Sequence, residues 1–220
     1  LTVLAVTGLK REAEIVGGPG VVAVAGGGDT VSLQQKLDAL HGDIKGVISV
    51  GLAGGLSPLV KVGEVVIADR VIQGREIWRC SDIWRVALAA KLAHAHQGSV
   101  AGSDTILENA GAKAALYEST GALAVDMESA IAARFAAKRN LPFAVLRVIS
   151  DDAAHVLPPA ALVAMKPNGG IAIGRVLGSL LRHPLQVAAL IRTARASNKA
   201  FKELLRCANL CGVGFSGPDL

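Results

Sequence analysis

The stretch "PFAVLRVISDD", residues 142–152, decides the fold. From Phe143 to Ile149 it is apolar at almost every step, without the alternation of a half-exposed strand. A strand that is apolar on both sides is buried on both faces, and such strands belong to parallel sheets covered by helices. Five further runs read alike: "LTVLAV" (1–6), "GVVAVA" (20–25), "GVISVGL" (46–52), "GEVVIAD" (63–69) and "ALAV" (122–125). Between some of them lie helical patterns, "SLQQKLDAL" (32–40), "DIWRVALAAKLAHA" (82–95) and "ESAIAARFAAKRN" (128–140). The alternation predicts an α/β chain of one domain. Its central sheet should be mixed but largely parallel, flanked by helices on both faces. Residues 1–165 form the body, and residues 166–220 a basic, amphipathic helical extension of it.

Open sheets of this kind bind ligands beyond the carboxyl ends of their strands. The residues that follow the strands are therefore the candidates. The first strand delivers Thr7, Gly8, Lys10, Arg11 and Glu12, and the third delivers Gly51, Leu52, Ala53, Gly54 and Gly55. "ALAV" ends in Asp126, Met127 and Glu128, and "PFAVLRVI" ends in Ser150, Asp151 and Asp152. Taken singly, each has a structural reading. Glu128 would stabilise a helix N-terminus, Asp151 would cap a helix, Met127 would fill core, and Glu12 would be a solvated helix-start residue. Together, glycines, carboxylates and a basic pair on one rim describe a site for a polar small molecule.

Composition narrows the classes. The 220 residues are 51% hydrophobic but only 3% aromatic, which argues against a base-stacking surface for single-stranded nucleic acid. "GGGD" (26–29) has Val31 where a dinucleotide fingerprint needs its third glycine, and no phosphate-loop motif is present. Cys80, Cys207 and Cys211 form no disulfide framework, which points to a reducing, cytoplasmic setting. Cys207 and Cys211 have helical spacing but nothing nearby to complete a metal site, so no metal is expected. The basic residues cluster. From Lys166 to Arg206 there are eight against a single acid, Glu203, a net +7 that leaves the rest at −2 of the total +5.

The ordered motifs "SVGLAGGL", "VGEVVIAD", "AGSDTIL", "VDMESAIA" and "LRVISDDA" resemble the purine nucleoside phosphorylase and methylthioadenosine/S-adenosylhomocysteine nucleosidase superfamily, over about residues 1–165. "GRVLGSLLRHPLQVAALIRTA" (174–194) further resembles the hopanoid-associated phosphorylase branch, whose substrate is thought to be adenosylhopane. The resemblance implies an enzyme that cleaves an N-glycosidic bond and releases adenine. It implies that Asp151 protonates purine N7, that Ser150 orients it, and that Ile106 and Leu107 line the purine pocket. Glu128 would hold the ribose hydroxyls, Met127 would pack on the sugar, and Glu12 would activate water. No cofactor is implied, with inorganic phosphate the candidate co-substrate. The resemblance also implies a homo-oligomer, a dimer first. An aspartate at 151 can both donate to N7 when protonated and accept from a 6-amino group, which favours adenine over 6-oxo purines.

The nucleophile stays open between two readings. The branch resemblance favours phosphorolysis, with Gly8, Lys10, Arg11 and Gly54 around the phosphate. Leu52, however, stands where relatives usually place Ser or Thr, and Glu12 would repel an anion; both suit a hydrolytic nucleosidase. A non-catalytic nucleoside-binding protein is the third alternative, opposed by intact Glu128 and Asp151. In the tail, Arg192, Arg195, Lys199, Lys202 and Arg206 recur at helical steps beside Val187, Ile191, Ala194, Phe201 and Leu205. That pattern is read either as a packed helix with a solvated charged face or as peripheral contact of residues 171–206 with an anionic inner-membrane surface.

Overall fold

Residues Phe143–Asp151 form the strand β8, and their side chains divide by parity. Phe143, Val145 and Ile149 enter one apolar core, and Ala144, Leu146 and Val148 enter another on the opposite face. The computed structural model describes residues 2–155 and 187–217. In chain order it contains β1 (Thr2–Thr7), α1 (Lys10–Val16), β2 (Val21–Ala25), α2 (Thr30–Asp38), β3 (Ile44–Gly55), β4 (Val65–Gln73) and β5 (Glu76–Arg79). There follow α3 (Asp82–Lys91), β6 (His96–Gly102), α4 (Ala110–Thr120), β7 (Ala124–Asp126), α5 (Ser129–Lys138), β8 and the long α6 (Val187–Cys211).

The sheet is mixed and largely parallel, as expected. β1 pairs β2 and β3, β3 pairs β8, and β4 and β7 each pair β6, all in parallel. The pairs β3–β7, β4–β5 and β4–β8 are antiparallel. β8 lies between β3 and β4, while β7 links β3 to β6. The ladder β3–β8–β4–β6–β7 thereby returns to β3. This closure brings the ends of β3, β7 and β8 together, which an open sheet would leave apart. α2 and α5 cover one face, with Leu33, Leu37 and the alanines of α5 in its core. α1, α3 and α6 cover the other, through Val16, Trp84, Leu88, Ala200 and Leu204.

All six apolar runs are strands. β5 and β6 went unread because their sequences, "EIWR" and "HQGSVAG", are short or polar. The third helix stops at Lys91, and the run's last residues, Leu92 to Ala95, lead into β6. α4, "AGAKAALYEST", lacks an apolar stripe long enough to stand out.

The tail differs in detail from its reading. α6 buries Ala200, Phe201, Leu204, Cys207 and Cys211, a spacing of one helix face. Of the expected apolar stripe only Phe201 is buried; Val187, Ile191 and Leu205 are 44%, 45% and 48% exposed. The physical reason is register: the helix docks along the stripe that faces α1 and β8, one position away from the stripe of Val187, Ile191 and Leu205. Arg192, Arg195, Lys199, Lys202 and Arg206 are exposed. Gly212, at φ 73°, ends the helix, and Trp84 Nε1 donates to Phe215 O at 2.8 Å, tying the chain end to α3. Lys166, Arg175, Arg182 and residues 171–186 of the expected membrane segment lie outside the described residues.

Candidate active site

The two carboxylates of "VDMES" do different work. Asp126 Oδ1 accepts from the backbone N–H groups of Glu128 at 2.8 Å and Ser129 at 2.6 Å, so Asp126 caps α5. Its other oxygen stands 2.8 Å from Arg147 Nε, close enough for an ion pair though not aligned as a hydrogen bond. Glu128 is thereby freed from capping. Its carboxyl faces a cavity of about 600 Å³, with Arg147 Nη1 at 3.8 Å.

Arg147 is fully buried, and its presence follows from β8 parity. It stands on the same face as Val145 and Ile149, toward α5, where its Nη2 donates to Ser129 Oγ at 3.1 Å and to Ser49 Oγ. One guanidinium thus lies beneath three buried acids, Asp126, Glu128 and Glu12. One cation cannot balance three anions, and burial raises the proton affinity of Glu128 and Glu12. Glu128 is pushed up to about 8, first by burial, with the Asp126 and Glu12 charges adding and Arg147 opposing. Burial also pushes Glu12 up, against Arg147 and the amides that hold it.

Glu12 is 2% exposed and not a solvated helix-start residue. Its Oε2 accepts from Gly8 N at 2.7 Å and Leu9 N at 2.8 Å, and its Oε1 accepts from Leu52 N at 2.9 Å. The glycines of "TGLK" and "VGLAGG" make room for these acids. A Cβ on Gly51 would lie 2.8 Å from the Glu12 carboxyl, and one on Gly8 would lie 3.0 Å from Glu128 Oε1. Gly51→Ala is therefore expected to destabilise the fold by about 1–3 kcal/mol through overpacking. A chemical-denaturation midpoint unchanged from the wild type would contradict the close approach.

At the opposite end Ser150 Oγ donates to Asp151 Oδ1 at 2.9 Å. Asp151 Oδ2 accepts from the ammonium of Lys113, whose Nζ also donates to Asp152 O at 2.8 Å. Lys113 is 1% exposed and was not foreseen. The available signal was one lysine set among alanines in "GAKAALY" (111–117), but it needed α4 to be recognised first.

Gly8, Arg11, Gly54, Ile106, Leu107 and Met127 all line the cavity, together with Glu12, Glu128, Ser150 and Asp151. Lys10 does not; it is exposed on the first turn of α1. A helix turns its successive residues about 100° apart, so Lys10 and Glu12 cannot both face inward. Arg11 reaches the rim, where its guanidinium stacks 4.2 Å from the Phe201 ring. The sequence pattern of the tail suggests packing or surface contact, not a part in the site. In fact α6 walls the cavity with Leu190, Thr193, Ala194, Ser197, Asn198 and Phe201. Among the described residues no group of three or more His, Cys, Asp or Glu could hold a metal ion.

The closed mixed sheet thus sets carboxylates at the ends of β7 and β8 around one cavity, with α6 as a further wall. Residues 13–181 match the family model of the phosphorylase superfamily, and the chain belongs to that superfamily. It is an enzyme of the nucleoside phosphorylase and nucleosidase kind. The MTA/SAH nucleosidase of Streptococcus pneumoniae in complex with 8-aminoadenine is similar at 19% identity. That match covers 93% of this chain and 100% of that one, with a TM-score of 0.62. The 5′-methylthioadenosine/S-adenosylhomocysteine nucleosidase of Colwellia psychrerythraea in complex with adenine is 19% identical over 82% and 96% of the two chains, with a TM-score of 0.62. A futalosine hydrolase mutant of Helicobacter pylori is 18% identical over 68% and 90%, with a TM-score of 0.58. At these identities the likeness is one of fold.

Proposed function

We propose that the protein hydrolyses the N-glycosidic bond of an adenine nucleoside carrying an apolar 5′ substituent. The observation that carries the hydrolytic reading is the placement of Glu12. Its carboxylate takes the amides of Gly8, Leu9 and Leu52. Backbone amides at a glycine turn are what a phosphate would need, and a buried anion already occupies them. The same carboxylate, its proton affinity raised by burial, is suited to take a proton from water. This reading departs from the phosphorolysis favoured by the branch resemblance. Among the described residues, Arg11 at the rim favours phosphate.

In this reading the base sits against Asp151 and Ser150, and the ribose against Met127 and Glu128. Cleavage leaves positive charge on the sugar and negative charge on the base. Glu128 favours the first, and a proton delivered at Asp151 neutralises the second. Ribose hydroxyls donating to Glu128 stabilise its ionised form, so nucleoside binding below about pH 8 releases a proton. The remaining wall is α6, where Leu190, Ala194 and Phe201 offer an apolar surface to the 5′ group.

A lipid-sized 5′ group, as in adenosylhopane, is the extreme case. Its support is that α6 carries exposed Val187, Ile191, Arg192 and Arg195 beside the cavity-lining Leu190 and Ala194. That face suits approach to an anionic lipid surface. Among the described residues no helix is long and apolar enough to cross a membrane.

The test is adenine release from 5′-methylthioadenosine and longer 5′-alkylthio homologues, with and without inorganic phosphate, the sugar being identified by mass. The expected result is a free sugar at a rate indifferent to phosphate, with turnover sustained as the alkyl chain lengthens. A phosphate requirement with a sugar 1-phosphate product would overturn hydrolysis. Activity that vanishes beyond short chains would overturn the lipid extension.

A further inference from the structure

We propose that Lys113 is the source of the proton that leaves with the base, and that it acts through Asp151. The inference rests on the reading of the cavity as the site of adenine nucleoside cleavage. Its starting point is that Asp151 is surrounded by donors. Ser150 Oγ donates to one of its oxygens and the Lys113 ammonium to the other. An ammonium held against a carboxyl oxygen favours the carboxylate form, which has no proton of its own to give. Of the two groups that donate to Asp151, the ammonium of Lys113 is a far stronger acid than the Ser150 alcohol.

Lys113 is also poorly explained as scaffold alone. Burying an ammonium at 1% exposure costs several kcal/mol, and an apolar side chain would fill the slot without that cost. Lys113 itself lines the cavity. Its hydrogen bonds go to Asp151, the last residue of β8, and to the carbonyl of Asp152 just beyond it. The other charged groups lining the cavity come from elsewhere, Arg11 and Glu12 from α1 and Asp126 and Glu128 from the β7–α5 junction.

The step balances as follows. The C1′–N9 bond breaks and its electron pair goes to the base. A proton moves from Lys113 Nζ to Asp151, and Asp151 passes a proton to N7. Water adds to C1′ and gives its proton to Glu12. Neutral adenine and the free sugar leave; Lys113 regains a proton from solvent and Glu12 returns one. One water is consumed and the protein is unchanged.

The experiment compares two substrates with one 5′ group, 5′-methylthioadenosine and the 4-nitrophenyl 5-methylthioriboside, whose phenolate leaves without a proton. A free aspartic acid keeps its proton only below about pH 4, and a free lysine keeps its proton to about pH 10. Wild-type adenine release should therefore persist well above neutrality. Lys113→Arg keeps the charge and the contact with Asp151 but cannot release a proton below about pH 12. It should lose about 10²–10⁴-fold in adenine release while nitrophenol release is nearly unchanged. Lys113→Met, which has no proton to give, should lose adenine release at least as far.

Near-normal adenine release by Lys113→Arg would overturn the proposal and reduce Lys113 to a partner that positions Asp151. So would equal losses on the two substrates. If the variants do not fold, the wild type decides. Adenine release falling about tenfold per pH unit from pH 5 upward, with nitrophenol release flat, is the signature of a lone carboxylic acid and overturns the proposal. A wild type that cleaves neither substrate removes the nucleosidase reading and this inference together; cleavage of both with the wrong pH profile removes only the inference.

Discussion

Asp151→Asn is expected to lower adenine release by about 10²–10⁴-fold, or about 3–5 kcal/mol of barrier. Asparagine accepts a hydrogen bond from Lys113 but cannot carry a proton between Lys113 and N7. The variant should also be less stable. Lys113 is 1% exposed and would face a neutral partner in place of a carboxylate. Removing one member of a buried pair outright costs about 3–5 kcal/mol. Because the asparagine oxygen still accepts from the ammonium, a smaller loss of about 1–3 kcal/mol is expected. The measurements are single-turnover adenine release and a denaturation midpoint on the same preparation. A folded Asn variant with near-normal adenine release would remove Asp151 from the proton path.

Glu128→Gln separates activity from stability. Turnover of ribonucleosides should fall far more than turnover of 2′,3′-dideoxynucleosides, because the lost interaction is with the hydroxyls. Stability should move the other way. Glu128 holds its proton up to about pH 8 in the folded chain, against an ordinary value of 4.5. Between those values the folded state binds more protons than the unfolded state, so wild-type stability declines as pH rises. The decline is on the order of 1.4 kcal/mol per unit, shared with Glu12, whose proton affinity burial also raises. Glutamine has no proton to lose. The variant should therefore match the wild type near pH 4.5 and become progressively more stable relative to it toward pH 8, in thermal unfolding run across that range. A stability difference that does not change with pH would mean that Glu128 is ionised throughout. Equal losses on both substrate types would assign it to the architecture of α5.

The alternative to this dual role was visible from the start. In "VDMES" a carboxylate before a helix is a cap, and capping was one of the two readings. Asp126 took the cap through its contacts with the N–H groups of Glu128 and Ser129. Two residues on, Glu128 was left to the cavity. Local chemistry could say that one carboxylate would cap, but the choice depended on the turn between β7 and α5.

The continuous apolar runs by themselves determined the α/β class, the largely parallel sheet and the strand ends that hold the site. Burial on both faces leaves a period-free apolar signal that needs no partner to be read. Asp151, Glu128, Met127 and Ser150 were legible for the same reason, since each follows an apolar strand at the rim; Ile106 and Leu107 follow the polar strand β6 and were reached only through the family resemblance. Tertiary structure alone decided what surrounds them. Closure of the sheet through β8 and β7 brings Arg147 beneath three acids that lie up to 135 positions away in the chain. α4 carries Lys113 across 38 residues to Asp151, and the register of α6 makes a supposed surface tail into the fourth wall of the cavity. Charge pairing across such separations leaves no local pattern, because a buried lysine or arginine has the same letter as a solvated one until the fold removes water from it.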